Sequence, residues 1–198
     1  IQAFTCEAVV LPIIELGLKP TYVDINTSDY CMNFKDLQNK FSPRAKVVIH
    51  QHTFGITPKD RNKVIEFAKY HKLHMIEDVA HGFDPLLFRS KRFSTAVLMS
   101  FGRSKFRSSV FGGGIAIRGI RAGSAIRSME KSIPHTSPWL ILQIIWYKIH
   151  AFFIKSTYDI ILGKVVHFLF KQFNLITPEI TKKEKKGEFN YTFLRTFP

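Results

Sequence analysis

Three short apolar runs constrain this chain more than any other feature. AKVVIHQ spans residues 45–51, LHMIED spans 73–78 and TAVLMSF spans 95–101. Each has strand length and is continuous rather than alternating, the pattern of a strand buried on both faces. Between the first two lies an amphipathic stretch, 59–70, with Val64, Ile65, Phe67 and Ala68 on one side. Strand, helix and strand in that order predict right-handed crossovers and an α/β fold, a mostly parallel sheet flanked by helices. GGIAIRG at 113–119 adds a short strand beyond a glycine turn.

The flanking segments fit the same plan. The opening stretch to Gly17 is apolar but carries Glu7 and Glu15 and no basic leader, so it reads as an amphipathic helix closed by Gly17, not as a signal peptide. PTYVDI at 20–25 is rich in β-formers and predicts a strand. Residues 33–41 predict a helix with Asn33 as N-cap and Asp36 three positions on. From residue 132 the texture changes. The stretches 138–154 and 158–170 are dense in Ile, Leu and aromatic residues, and Lys148/Lys155 and Lys164/Lys171 are each spaced two helical turns apart. Gln143, Lys148, His150, Asp159 and Lys164 interrupt the runs, so membrane-spanning helices are not expected. Helices lying in a membrane interface or against a partner are. TKKEKKG at 181–187 reads as a solvated linker. Three parts are thus expected: 1–131 as an α/β domain, 132–180 as an apolar and basic helical insertion, and 181–198 as a charged linker entering a further part. The chain begins at Ile1 and stops at Pro198, and is expected to be the central portion of something longer.

Charge sharpens the division. Residues 1–100 hold 13 basic and 10 acidic side chains, and residues 101–198 hold 16 and 5. Anionic partners are therefore expected at the second half. No helix-turn-helix, RNP or zinc signature appears, so nucleic acid is not an expected partner. Two cysteines cannot build a disulfide scaffold or a four-ligand zinc site and suit a reducing, cytoplasmic setting. His50 and His52 share one strand face without a third ligand nearby, so no metal site is expected.

In parallel sheets chemistry gathers at the carboxyl ends of strands. Two polar clusters fall there, Glu77–His81 and Ser100–Lys105, the latter followed by Gly112–Gly114. A lysine amine can condense with an aldehyde, an aspartate can keep a heterocyclic nitrogen protonated, and a hydroxyl can bind a phosphate. Those three needs describe pyridoxal 5′-phosphate (PLP). Each residue has a plainer role too. Lys105 could be an exposed structural lysine, Asp78 a turn cap, His81 a turn histidine satisfied by backbone, Ser100 a strand-end hydroxyl and Cys6 a small buried apolar side chain.

The phrases AFTCEAVVLPIIELGLKPTYVDI, PRAKVVIHQHTFG, VIEFAKYHKLHMIEDVAHGF, FSTAVLMSFGRSK and GGGIAI stand in order from Ala3 to about Ile117. In order and spacing they resemble the DegT/DnrJ/EryC1/StrS sugar aminotransferase family of PLP fold type I, within the aspartate aminotransferase superfamily. The resemblance implies that Lys105 carries the cofactor covalently and then moves a proton as the free amine. It implies that Asp78 pairs with the pyridinium nitrogen, that His81 sits near the ring oxygen, and that Ser100 donates to the phosphate. Cys6 falls where the family often stacks an aromatic ring on PLP. The implied reaction moves an amino group from glutamate to a keto sugar, nucleotide-linked, for glycan or polysaccharide biosynthesis, in a homodimer. Two alternatives stand beside it: a catalytically degenerate relative serving as an interaction module, and a protein bound peripherally to the inner membrane surface through 138–173.

Overall fold

The computed structural model describes residues 1–82, 87, 94–178, 180–191 and 194–196. Phe83 and Phe93, at the edges of two family-like phrases, lie outside the described residues, as do four positions of the 181–198 tail.

Helix α1 covers Glu7–Glu15 and ends two residues before Gly17, which takes a left-handed φ of 70° as its N–H returns to the Ile14 carbonyl. Helix α2 covers Phe34–Lys40; the Asn33 side chain accepts from the Asp36 N–H at 3.0 Å, as the sequence predicts. The expected strand at 20–25 does not form. Only isolated bridges occur there, Val23 with Gln2 and Ile25 with Met32. The Asp24 N–H goes to the Asp36 carboxylate at 2.7 Å, and the segment closes on the residues that follow it: Asn33 N–H to the Asp24 carbonyl at 2.8 Å and Asn26 N–H to the Cys31 carbonyl at 2.9 Å form the single Ile25–Met32 bridge.

The sheet comprises β1 (Val47–Gln51), β2 (His74–Asp78), β3 (Ala96–Ser100) and β4 (Gly113–Ile117), in that spatial order. β1, β2 and β3 run parallel; β4 returns antiparallel to β3. Register sets Gln51 opposite Asp78 and Ser100 opposite Gly113. Gly113 is required at that position, because a Cβ there would sit 2.6 Å from the Met99 carbonyl oxygen. Helix α3 (Arg61–Tyr70) crosses from β1 to β2, starting two residues later than its periodicity suggests. Its Val64, Ile65 and Ala68 pack on Val48 and Met75 and on Met32 of the preceding loop, closing a core in which each is at most 3% exposed. Burying an aliphatic side chain that fully is worth roughly 1.5–3 kcal/mol, so this layer anchors β1 and β2.

Beyond the sheet, α4 (Ile120–Ser132) is a helix absent from the sequence expectations; no residue in it is buried. Helices α5 (Pro138–Ser156) and α6 (Leu162–Gln172) form the expected pair. Ser137 caps α5 by accepting from Leu140 N–H at 3.2 Å, and Pro138 sits in its first turn. The charged 181–187 segment contains one 3-10 turn, Glu184–Lys186.

Candidate functional site

Successive side chains of a strand point to opposite faces. At the end of β2 this separates Glu77 from Asp78 and gives each a different task. Glu77 faces the α3 layer, fully buried. Arg61 donates to it twice, Nε to Oε2 at 2.9 Å and Nη2 to Oε1 at 2.8 Å, and His52 Nε2 lies 3.0 Å from Oε2. Burial opposes ionisation, but the bonds from His52 and Arg61 overcome it and hold the Glu77 carboxyl at about 2. The His52 backbone N–H donates to the Asp78 carbonyl at 2.9 Å. The buried cluster thus pins the carboxyl ends of β1 and β2 together.

Asp78 faces the other side of the sheet and is 6% exposed. Its Oδ1 accepts from the Ala80 N–H at 2.9 Å, so it does cap the following turn, while among the described residues no hydrogen bond reaches Oδ2. Its register partner Gln51 accepts from the Thr5 hydroxyl at 2.7 Å, which brings the N-terminus of α1 to the same edge. Cys6, next along, is the N-cap of α1, and its side chain makes no capping bond. It is exposed, not the buried apolar group expected from cysteine's usual habit. Its position explains this: a helix start at a sheet edge has nothing packed over it.

His81 sits just beyond Asp78. Its Nδ1 accepts from the Phe54 N–H at 3.2 Å, which leaves the ring's proton on Nε2 when the imidazole is neutral. The Phe54 ring stacks nearly parallel to it, 11° between planes. Phe54 reaches this place through a left-handed φ of 55° in the turn Thr53–Gly55. Gly55 and Gly82 meet backbone to backbone there; a Cβ on Gly82 would lie 2.7 Å from the Gly55 Cα. Burial, then the Lys105 cation, push the His81 imidazole below its usual range, against an opposing pull from Asp78.

Lys105 follows β3 in a turn where its N–H donates to the Gly102 carbonyl at 3.1 Å. Ser100 ends β3, and its Oγ accepts from the Gly102 N–H at 3.5 Å. A Cβ on Gly102 would touch both Lys105 Cγ and Ser100 Oγ at 3.7 Å, so the two side chains flank one glycine. A cavity of about 10 Å³ lies between the β2 and β3 ends, lined by Ala80, Gly82, Ser100 and Phe106 among others. The larger hollow, about 580 Å³, lies against Phe34, Phe67, Tyr70 and His71 of α2 and α3, remote from these strand ends. Among the described residues no cluster of three or more His, Cys, Asp or Glu is arranged around a metal.

The structure thus gathers Asp78, His81, Ser100 and Lys105 on the carboxyl edge of β2 and β3, with Cys6 reached through Thr5 and Gln51. Sequence reasoning missed the Arg61–Glu77–His52 cluster and the Phe54 stack. Strand alternation does signal that Glu77 faces away from Asp78, but the Arg61 partner and the Phe54 conformation have no local signature.

Residues 1–117 match the family described as the DegT/DnrJ/EryC1/StrS aminotransferase family. A curated relative from Acidithiobacillus ferrooxidans, UDP-N-acetyl-3-dehydro-alpha-D-glucosamine 3-aminotransferase, is 30% identical over 80 residues, which is 40% of this chain and 21% of that protein. The crystal structure of DesI in the presence of its TDP-sugar product superposes with a TM-score of 0.58 at 22% identity, covering 66% of this chain and 33% of that one. That of NtdA from Bacillus subtilis with bound cofactor PMP gives 0.52 at 23%, covering 59% and 26%. At those identities the structural likeness concerns the fold. The matched stretch spans about a fifth of the length of the curated relative.

Proposed function

The chain belongs to the DegT/DnrJ/EryC1/StrS aminotransferase family, and from that premise we propose that it works as a PLP-dependent aminotransferase, moving an amino group from glutamate to a keto sugar carried on a nucleotide. One observation carries this most: Asp78 ends β2, Ser100 ends the neighbouring parallel strand β3, and Lys105 flanks Gly102 beside Ser100, so the three groups share one carboxyl edge of the sheet. The donor set fits the cofactor. A buried Asp78 carboxylate at a strand end suits a protonated ring nitrogen. A neutral His81 with its proton on Nε2 suits a ring oxygen. Ser100 accepts through its oxygen and keeps its own O–H for a phosphate. When bound, PLP supplies an aldehyde and an electron-accepting ring.

Within that reading the chain's own groups have distinct tasks. Asp78 holds a proton on the ring nitrogen by its charge. Lys105 would hold the cofactor through its amine and, as a free amine, would hold and move a proton at its Nζ. Gly55 and Gly82 keep the turn beneath His81 thin. Cys6 stands where relatives stack an aromatic ring, and offers a smaller, softer surface. Residues 1–131 form the cofactor-binding part, 132–180 an insertion, and 181–198 the linker to a further part. The protein works as a homodimer in the cytoplasm, with peripheral contact to the inner membrane surface through 138–173.

Absorbance tests the central claim. The protein mixed with PLP is expected to show the band of a lysine-bound cofactor, fixed by borohydride and abolished in Lys105→Ala. A protein that stays colourless with PLP, or a Lys105→Ala variant that still fixes it, would sink the assignment.

A further inference from the structure

The hairpin of α5 and α6 carries a surface that the sheet does not use. The helices run antiparallel: the Gln143 amide donates to the Asn174 carbonyl at 2.6 Å, the His150 and Phe170 rings lie 4.5 Å apart, and Gly163 abuts the Ile154 carbonyl. At 100° per residue, Gln143, Tyr147, His150 and Ile154 share one side of α5. That side meets α6, and Tyr147 meets Arg103, whose guanidinium lies 4.1 Å over its ring. The other side is apolar and bare. Trp139, Leu142, Ile145, Trp146, Ile149 and Phe152 are 43–74% exposed and fall within an arc of about 140°. In α6, Val165, Phe168 and Leu169 are 42–65% exposed and occupy a similar arc.

Charge says what covers these faces. Lys148 and Lys155 border the apolar arc of α5, and Lys164 and Lys171 border that of α6, all four exposed. Asp159, in the turn, is the sole acid between residues 138 and 172. A second copy laid on this face would set lysine against lysine with almost no acid to answer. An anionic lipid surface accepts the same pattern. Apolar side chains enter the acyl boundary, lysines reach the headgroups along their own methylenes, and tryptophan favours the boundary between them. No described helix is long and apolar enough to cross a membrane.

We propose that the α5–α6 hairpin docks in the plane of an anionic bilayer, its apolar arcs in the interface and its four lysines at the phosphates. This deepens the peripheral contact stated above by naming the lipid charge and the bound face, and it is independent of the cofactor chemistry, which borohydride reduction tests separately. The chain's only two tryptophans, Trp139 and Trp146, both lie on the docking arc, so intrinsic fluorescence reports this contact directly.

The test uses vesicles of phosphatidylcholine with and without phosphatidylglycerol, read by flotation and tryptophan emission. Expected are flotation with the anionic vesicles, a blue shift of emission, and loss of both at high salt. Each lysine at such a surface strengthens binding about fivefold. Replacing all four with glutamine (K148Q, K155Q, K164Q and K171Q together) should therefore weaken binding several-hundred-fold, on that same order-of-magnitude basis. Ile145→Asn with Phe152→Asn should abolish the blue shift while the lysines remain. Equal, salt-insensitive binding to neutral vesicles would overturn the anionic assignment. Emission already blue without lipid, in a protein that self-associates, would assign the face to a second copy. Red emission and no flotation at low salt would overturn the proposal outright.

Discussion

His50 gives the sharpest quantitative test of the buried layer beneath the site. Its ring is fully buried on β1, opposite Glu77, and among the described residues neither ring nitrogen has a hydrogen-bond partner. Burial, then the neighbouring His52, push its imidazole down from 6.5 to about 4. A histidine depressed in the folded state stays neutral while the unfolded chain takes up a proton, so its stability contribution is present above pH 6.5 and is lost as pH falls toward 4. A shift of that size is worth about 3 kcal/mol in full, of which about 2 kcal/mol falls between pH 7 and pH 5. Glu77, held at about 2, also loses stability with falling pH, but mostly below its unfolded value of 4.5, and His81, likewise depressed, contributes equally to parent and variant, so their difference between pH 7 and pH 5 reports His50. Urea denaturation of the parent and of His50→Leu at both pH values reads the difference. The parent should lose about 2 kcal/mol more than the variant over that interval. Equal losses would show that His50 is hydrated or paired in solution and would refute the reasoning.

Two further predictions concern the turn and the ion pair. Arg61→Met removes both bonds that Arg61 makes to the fully buried Glu77, and breaking one side of such a pair costs roughly 3–5 kcal/mol; denaturation midpoints check it, and Arg61→Met with Glu77→Gln together should cost less than Arg61→Met alone. Gly82→Ala drives a methyl into the Gly55 backbone, so it should cost about 1–3 kcal/mol in stability and weaken PLP uptake in an absorbance titration; an unchanged titration would remove the Gly55–Gly82 contact from the site.

Some of this molecule is legible in short words of sequence. The continuous runs at β1, β2 and β3 announce strands of a parallel sheet, although Ile49, Ile76 and Leu98, on the face away from α3, are only half-buried and not enclosed on both sides as expected. The Asn33 cap follows from a hydrogen bond made within three residues. The ordered motifs point to Asp78, His81, Ser100 and Lys105 because each occupies a fixed offset from a strand end.

The failures are equally specific. PTYVDI has strand composition, yet Asp36 of α2 takes the Asp24 N–H and the segment pairs only through the isolated bridges Val23–Gln2 and Ile25–Met32. Helix α4 follows the last strand and closes no crossover, so the strand and helix order does not ask for it. Cys6 is exposed because a helix start at a sheet edge is uncovered, which cysteine's average habit cannot foretell.

The sequence by itself determined the strand and helix periods, the order of the site residues and the basic, aromatic character of the second half, since these depend on neighbours a few positions apart. Only the tertiary structure decided which partner each buried charge has, how the Phe54 turn meets His81, and that the α5–α6 hairpin presents its apolar arcs bare. Those outcomes depend on groups 16 to 31 residues apart meeting in space, as Arg61 meets Glu77 and Gln143 meets Asn174. Long-range pairing of that kind leaves no mark in local periodicity.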